Sequence, residues 1–250
     1  MKRLRAAIAR YGIQGLPRWA FNAFAFRVRD RLRRIRKWHD SREHRWMCDV
    51  RSVIHVGANF GGERFLYAEH NLSVLWIEPI ESAFAELTQN IKDFPRQHAI
   101  QSLLTDRDGD SIQFNISNNS GLSSSIFQIA EHANIWPSVK FTDSVTMTTR
   151  TLDRIVAEST TVDWQALVMD VQGAELKVLQ GSRRLLTNVK YILAEAADFN
   201  SYHGGCKLSE LVDFLSPLGF EIQRKSVFAR HPVQGCYYNV LFFRRESAKQ

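Results

Sequence analysis

Residues 53–62, VIHVGANFGG, and residues 74–79, VLWIEP, are the two stretches that decide the fold. Each begins with a run of four residues that is typical of a buried strand, and the first run ends at Gly57. The pattern predicts a helix from about Gly62 to Glu69, between the two strands. A strand, a glycine-rich turn, a helix and a second strand form the βαβ unit of a parallel sheet.

The rest of the body continues this alternation. Further strands are predicted at 98–104, 111–117, 166–169, 189–194, 220–225 and 237–243, and helices at 82–91, 151–158, 174–186 and 207–215. The last two strands have no helix between them and should be antiparallel. The expected fold is therefore an α/β doubly wound sheet, mostly parallel, with a reversed last strand. Residues 117–145 are predicted to be a long irregular stretch, either a binding loop or lid, or disordered.

The net charge of +7 is unevenly distributed along the 250 residues. Residues 1–50 contain 14 Lys/Arg and 4 Asp/Glu, a balance of +10, which leaves 33 − 14 = 19 basic and 26 − 4 = 22 acidic residues, a balance of −3, for the remainder. A strongly basic chain would indicate a nucleic-acid partner, but here the body is slightly acidic. Nucleic acid is therefore not the expected partner.

Residues 1–47 are expected to form a separate, basic amphipathic helical segment that precedes a catalytic domain at 48–250. From Pro17 onward, apolar residues recur every three or four positions, and arginines occupy the other faces. The apolar stripe comprises Phe21, Phe24, Val28, Leu32 and Ile35. Such a helix can pack on the following domain, with its arginines in solvent, or bind a protein partner or an anionic membrane surface. Both alternatives stay open.

Several classes of protein are excluded by simple patterns. No run approaches 18 apolar residues, which argues against a transmembrane helix, and arginines interrupt every candidate signal-peptide core. The three cysteines are widely spaced, which argues against a disulfide framework or a structural zinc site. No spacing typical of metal ligands occurs, so no metal is expected. The expected location is cytoplasmic, with membrane association through residues 1–47 as an option.

Acidic residues follow most of the predicted strands. The strand ends carry Glu78-Pro79, Thr105-Asp106, Asp170-Val171-Gln172 and Glu195, in addition to the glycine turn at 57–62. Ligands bind beyond the carboxyl ends of strands in this class of fold. Glu78 lies 21 residues after Gly57, the spacing at which an acid binds a ribose diol. Asn59 replaces the middle glycine of the dinucleotide motif, which favours S-adenosylmethionine over a nicotinamide cofactor.

Four segments together resemble the FkbM family of S-adenosylmethionine-dependent methyltransferases. They are VIHVGANFGG (53–62), WIEP (76–79), TRTLD (149–153) and VMDVQGAELKVLQG (168–181), in family order within residues 50–245. The resemblance implies a Rossmann-like class I methyltransferase fold with seven strands, the last antiparallel. It also implies an O-methyltransferase that acts on hydroxyls of sugars, glycans or related small molecules.

The same resemblance implies roles for individual residues. Gly57, Ala58, Asn59 and Gly61 would line the methionine end of the cofactor, Glu78 would bind the ribose, Pro79 would lie beside the adenine, and Thr105 and Asp106 would reach the adenine. Asp170 and Gln172 would face the methyl group or the acceptor. His55 stands where the family usually has aspartate; it would accept a hydrogen bond from the cofactor or serve only in packing.

Methylation of an alcohol needs a base that removes the hydroxyl proton as the new bond forms. The candidates are Asp170, Glu195 and His203. Asp170 could instead cap the helix that starts at Ala174, and His203 could be an exposed loop residue. The segment SNNSGLSSS (117–125) offers hydroxyls and amides for a sugar-like acceptor, or is a solvent loop.

Two other functions remain open from the sequence. The arginine-rich arm could serve a nucleic-acid methyltransferase by binding phosphates. Alternatively, the replacement at His55 could mark a degenerate, non-catalytic module that binds a membrane or a protein partner.

Overall fold

The computed structural model describes residues 44–159 and 162–245. The chain divides into two compact units, Met1–Asp49 and Val50–Gln250. The predicted helix after Pro17 lies outside the described residues; of its unit, only a 3₁₀ turn at Arg45–Asp49 is described. Among the described helices, none is both long and apolar enough to cross a membrane.

A seven-stranded sheet forms the centre of the second unit, and it confirms the predicted fold class. Its strands are β1 (Ser52–Val56), β2 (Ser73–Glu78), β3 (Gln97–Gln101), β8 (Ala166–Met169), β9 (Tyr191–Ala197), β11 (Phe220–Arg230) and β12 (Cys236–Arg244). The spatial order is β11-β12-β9-β8-β1-β2-β3. Strand β12 is antiparallel to both of its neighbours, whereas the pairs from β9 to β3 are parallel. The reversed last strand is therefore confirmed.

Five further strands of the described ranges lie outside this sheet. They are β4 (Leu103–Leu104), β5 (Ser111–Ser117), β6 (Gln128–Ile129), β7 (Phe141–Arg150) and β10 (Tyr202–His203). Strand β7 lies between β4 and β5, and β6 pairs with β10. The helices are α1 (Arg64–Glu69), α2 (Glu81–Ile91), α3 (His132–Ile135), α4 (Leu152–Ser159), α5 (Glu175–Gln180) and α6 (Leu208–Leu215), with 3₁₀ turns at Leu185–Thr187 and Ser216–Leu218.

The core lies on both faces of the central strands. Every residue of β1 and of β8 is buried, which explains why both strands are almost wholly apolar in sequence. The order of strands reverses between β1 and β8, because the chain proceeds from β1 to β3 on one side and from β8 on the other. The ligand site of an open α/β sheet is expected at this switch point.

Three predictions of secondary structure were wrong in detail. The predicted third strand, 98–104, is two strands, and only Gln97–Gln101 belongs to the main sheet. The stretch 117–145 is not irregular throughout, because it contains β6, α3 and the start of β7. The fifth strand extends to Ala197, so Glu195 lies within it and not past its end.

Candidate functional site

The turn after β1 is shaped by residues with positive φ. Gly57 has φ +80°, Asn59 +47° and Gly61 +69°. A Cβ on Gly57 would lie 1.9 Å from the backbone oxygen of Asp170, and one on Gly61 would lie 2.6 Å from Cδ1 of Leu87. Both glycines are therefore required by packing within the protein, in addition to the tight turn that the sequence predicts.

Glu78 ties this turn to the start of α2. Its carboxylate accepts hydrogen bonds from the backbone N–H of Asn59 (2.7 Å) and of Ile80 (2.9 Å). The side chain is 3% exposed, and burial raises its pKa to about 7 in spite of the two hydrogen bonds. Pro79 follows it, half-buried, and its carbonyl accepts a hydrogen bond from Nε2 of Gln101. Glu78 thus lies beside the glycine turn, as predicted for a ribose-binding acid.

Asp170 follows β8 at the switch point, and its backbone N–H donates to the carbonyl of Val56. Its Oδ1 accepts a hydrogen bond from Nε2 of Gln172 at 2.5 Å. Burial raises the pKa of Asp170 to about 6, against the lowering effect of the Gln172 hydrogen bond. The alternative role as a helix cap is not observed: the carboxylate that accepts from the backbone N–H of Val171 and Gly173 belongs to Glu175.

Two further acids lie near Asp170. Burial, and then the charge of Asp170, raise the pKa of Glu195 well above its ordinary value, and burial raises that of Glu175 to about 7. Glu195, although it lies inside β9, is therefore part of the predicted site. It also lines a cavity of about 10 Å³, roughly the space that one water molecule occupies. Asp170, Glu175 and Glu195, together with Glu78, are named the acid cluster below.

Tyr202 is a site residue that the sequence did not reveal, and Ser125 was included only as the last residue of the segment 117–125. The hydroxyl of Tyr202 donates to Oε1 of Gln172 at 2.7 Å, and Oγ of Ser125 donates to the backbone oxygen of Gln172 at 2.8 Å. Both residues are almost fully buried. Neither directly follows a strand of the main sheet, so no spacing predicted their contacts with Gln172.

His203 is not brought to the acid cluster. It is exposed, and it pairs with Gln128 in the short β6–β10 ladder. Successive side chains of a strand point to opposite faces, so the neighbour Tyr202, which contacts Gln172, turns His203 away. The structure therefore places His203 at an exposed position of a two-residue strand, apart from Asp170 and Glu195, and it does not support His203 as the base.

Thr105 and Asp106, the predicted adenine contacts, do not directly follow a strand of the main sheet. They follow β4, which belongs to a different sheet, and Asp106 forms an ion pair with Lys177 at 3.0 Å that lowers its pKa. The residue that directly follows β3 is Ser102, whose N–H donates to the carbonyl of Glu78. Its Oγ is buried and has no hydrogen-bond partner within the described range. Ser102 is therefore the better candidate for an adenine contact.

His55 lies inside an aromatic cluster. Its Nδ1 is 3.0 Å from the hydroxyl of Tyr67, and its ring stacks on Trp76 with centroids 4.9 Å apart. Burial lowers its pKa to about 3, so the imidazole is neutral. This environment favours the packing role, and the replacement of aspartate leaves an intact core.

The serine-rich segment 117–125 contacts the site edge, and most of its hydroxyls are bonded within the protein. The carbonyl of Ser120 accepts from Nδ2 of Asn59, and a Cβ on Gly121 would lie 2.6 Å from Cδ1 of Ile80. Within the segment, Oγ of Ser117 donates to Oδ1 of Asn119, and Oγ of Ser124 accepts the N–H of Ser117. The side chain of Ser120 is exposed, so binding of an acceptor by this segment stays a prediction.

The chemistry of these residues fits the predicted cofactor. S-adenosylmethionine carries a sulfonium and an ammonium group, whereas the acid cluster forms no ion pair within the described residues. Acids that share a site raise each other's pKa, and a bound cation reverses that effect. The backbone N–H groups of Gly57 and of the buried Ala58 both donate to the carbonyl of Ile77. These two hydrogen bonds fix the turn after β1 at the carboxyl edge of the sheet. In the described ranges, no group of His, Cys, Asp and Glu is placed to hold a metal ion.

The acid cluster predicts an unusual dependence of stability on pH. Acids whose folded-state pKa is raised contribute stability that is lost as pH rises through that pKa, here about 6 to 7 for Asp170, Glu78 and Glu175, and the raised pKa of Glu195 acts in the same direction. His55 and His132, whose pKa values burial lowers, act in the opposite direction but are only two groups against four. We expect the protein without cofactor to have a higher Tm at pH 5.5 than at pH 8, by roughly several degrees.

Thermal unfolding followed by circular dichroism at both pH values measures this difference. S-adenosylmethionine should raise the Tm more at pH 8, where the acids are ionised, than at pH 5.5. The variant Asp170→Asn/Glu195→Gln should show a smaller pH dependence. A Tm that is higher at pH 8 in the absence of cofactor would contradict the burial of four unpaired acids.

Comparison with known proteins gives consistent matches. Residues 55–222 match the family model described as the methyltransferase FkbM domain. The chain is 30% identical over 171 residues to the 2-O-methyltransferase NoeI of Sinorhizobium fredii, which covers 65% of this chain and 70% of that protein.

Solved structures with a similar arrangement include TrmK of M. capricolum in complex with S-adenosylhomocysteine. It has 7% identity and a TM-score of 0.44, over 83% of this chain and 71% of that one. Magnesium protoporphyrin IX methyltransferase of Synechocystis PCC 6803 with bound S-adenosylmethionine has 11% identity and a TM-score of 0.42, over 77% of this chain and 69% of that one.

Proposed function

The chain belongs to the FkbM family and is an S-adenosylmethionine-dependent methyltransferase, and from this premise we propose that it methylates a hydroxyl oxygen of a sugar, glycan or related small molecule. The observation that carries the proposal is the half-buried Asp170 carboxylate at the switch point of the sheet, beside Glu195 and Gln172. The name of the relative, a 2-O-methyltransferase, supports oxygen as the accepting atom.

The bound cofactor would supply an electrophilic methyl group on a positively charged sulfur. Glu78 would bind its ribose, and Ser102 would contact its adenine. The acid cluster would hold its positive charge, because carboxylates without a cation of their own gain most from one. Segment 117–125, in contact with Asn59 and Gln172, would exclude water from this edge.

Asp170 is the best candidate for the base that takes the proton of the acceptor hydroxyl. A base must be unprotonated before the reaction, and a pKa of about 6 leaves Asp170 mostly ionised at neutral pH. Burial and the charge of Asp170 raise the pKa of Glu195 and so favour its protonated form, and this residue lines the water-sized cavity. Asp170 therefore accepts the proton, and Glu195 shapes the charge around it.

A labelling experiment tests the proposal. The protein is incubated with S-adenosylmethionine labelled at its methyl group and with a cell extract, and the labelled product is identified. We expect the label in a small molecule or glycan, in a linkage that resists mild alkali, because methyl ethers survive conditions that hydrolyse methyl esters. A matched sample with Asp170→Asn should contain no labelled product.

Two outcomes would contradict the proposal. Label that is released by alkali would indicate a carboxylate acceptor, and label that is removed by nuclease digestion would indicate the nucleic-acid alternative.

A further inference from the structure

Tyr202 lies against the Gln172 amide. The residue is 1% exposed, and its hydroxyl lies 2.7 Å from Oε1 of Gln172 and 3.3 Å from the backbone oxygen of Ser123. Both oxygens only accept, so the tyrosine donates its one proton, and the contact with Gln172 is the shorter. In this orientation the amide oxygen faces Tyr202 and the NH₂ group faces Asp170.

The other end of the amide is its NH₂ group, and it faces carboxylates. Nε2 of Gln172 donates to Oδ1 of Asp170 at 2.5 Å, and the same side chain acts to lower the pKa of Glu195 against its burial. One amide thus favours the charged form of two acids. If the amide were rotated by half a turn, its oxygen would face the same two acids, and this is favourable only when they are protonated.

The backbone keeps Gln172 in this place. Its φ is +52°, a conformation that a residue with a side chain rarely adopts, and its carbonyl accepts the hydroxyl of Ser125. The next residue, Gly173, has φ +96°, and a Cβ there would lie 3.5 Å from Cβ of Tyr202. The backbone around Gln172 and the aromatic ring of Tyr202 are therefore packed against each other.

We propose that Tyr202 is a positioning residue for methyl transfer, whose hydroxyl orients the Gln172 amide so that its NH₂ group holds the Asp170 carboxylate in the ionised form. The inference rests on the proposed function in one respect, that Asp170 acts at the reacting atoms. Tyr202 itself touches neither the cofactor nor the acceptor in this proposal.

The groups around Asp170 explain why the hydrogen bond from the Gln172 amide is important. Facing it are Glu78 from β2, Glu175 from α5 and Glu195 from β9, along with the hydroxyls of Tyr202 and Tyr237. Three of these five groups are acids, and none is a cation. The Gln172 amide is thus the side-chain hydrogen-bond donor that favours the charged form of Asp170, and it lowers the pKa of that residue.

The test uses the full chain and measures the binding of S-adenosylmethionine by calorimetry between pH 5.5 and 8.5, for wild type and Tyr202→Phe. Loss of the hydroxyl frees the amide, the pKa of Asp170 rises, and the ionised form is lost at a higher pH. We expect the pH midpoint of binding to rise by about half a unit to one unit, and the affinity to fall roughly 3- to 8-fold at pH 5.5 but less than about twofold at pH 7. Binding of S-adenosylhomocysteine, whose sulfur is neutral, should change less.

The control Tyr238→Phe removes a hydroxyl of another largely buried tyrosine, which donates to Asp198 and has no contact with Gln172. Its binding curve should match that of wild type, and the Tm of both variants shows whether they fold. In an Asp170→Asn background, Tyr202→Phe should cause no further shift.

An unshifted midpoint in folded Tyr202→Phe would overturn the positioning role and leave the proposed function intact. A shift that persists in the Asp170→Asn background would overturn it as well, because the hydroxyl would then act on another group. Binding of the cofactor that is unchanged by Asp170→Asn at every pH would overturn both this inference and the assignment of Asp170.

Discussion

Asp170→Asn is expected to lower kcat for methyl transfer by about 10³-fold, within the range that removal of a general base produces. The asparagine has nearly the same shape, and its Oδ1 can still accept the hydrogen bond from Nε2 of Gln172. What it cannot do is take a proton from the acceptor hydroxyl. Steady-state kinetics with the acceptor identified by labelling would measure the effect.

The matched control is Asp106→Asn. Asp106 is also an acid near the end of a strand, but its carboxylate is paired with Lys177 and lies after β4, outside the main sheet. We expect its kcat to stay within roughly threefold of wild type, because exposed ion pairs contribute little. A kcat for Asp170→Asn within tenfold of wild type, with Asp106→Asn equally active, would place the base at another residue.

The central sheet could be predicted from the sequence because burial on both faces leaves a strong signal. Strands such as Ala166–Met169 are continuous apolar runs, and each is followed by a residue that must lie at the carboxyl edge. Glu78 and Asp170 were found in this way. Their position depends only on where a buried strand ends, and the sequence shows that end directly.

Strand β7 could not be predicted in this way, because most of its residues are exposed on both faces. Its sequence, FTDSVTMTTR, alternates only briefly around Val145 and Met147, which is too short a pattern to indicate a half-buried strand by itself. Because β4 pairs with β7 and not with the main sheet, Thr105 and Asp106 follow a strand of another sheet, whereas Ser102 directly follows β3.

The contacts that support Asp170 were missed for a different reason. Tyr202 and Ser125 are far from it in the chain and are brought to Gln172 by tertiary packing alone. A single sequence contains no spacing rule for such contacts. The same reasoning explains His55, which in sequence is a departure from a family motif but in three dimensions is a member of an aromatic cluster.

Gly57→Ala is expected to destabilise the protein by about 4 kcal/mol or to prevent folding, because it adds both backbone strain and a steric clash. The added Cβ would lie 1.9 Å from the backbone oxygen of Asp170 and 2.8 Å from its carbonyl carbon. Both atoms are backbone, so relief requires β1 and β8 to separate at the switch point. The hydrogen bond from the N–H of Asp170 to the carbonyl of Val56 would be disturbed with them.

The control variant Gly109→Ala separates the cost of the clash with Asp170 from the cost of backbone strain. Gly109 has φ +86°, close to the +80° of Gly57, but a Cβ there would meet no atom within 4 Å. Alanine at Gly109 should therefore cost only the backbone strain of a left-handed residue, about 1–2 kcal/mol. Urea denaturation of the three proteins would measure both losses, and equal losses would show that backbone strain alone requires Gly57. A larger loss for Gly57→Ala would show that the absence of a Cβ at Gly57 allows the turn after β1 to approach the backbone of Asp170 as closely as it does.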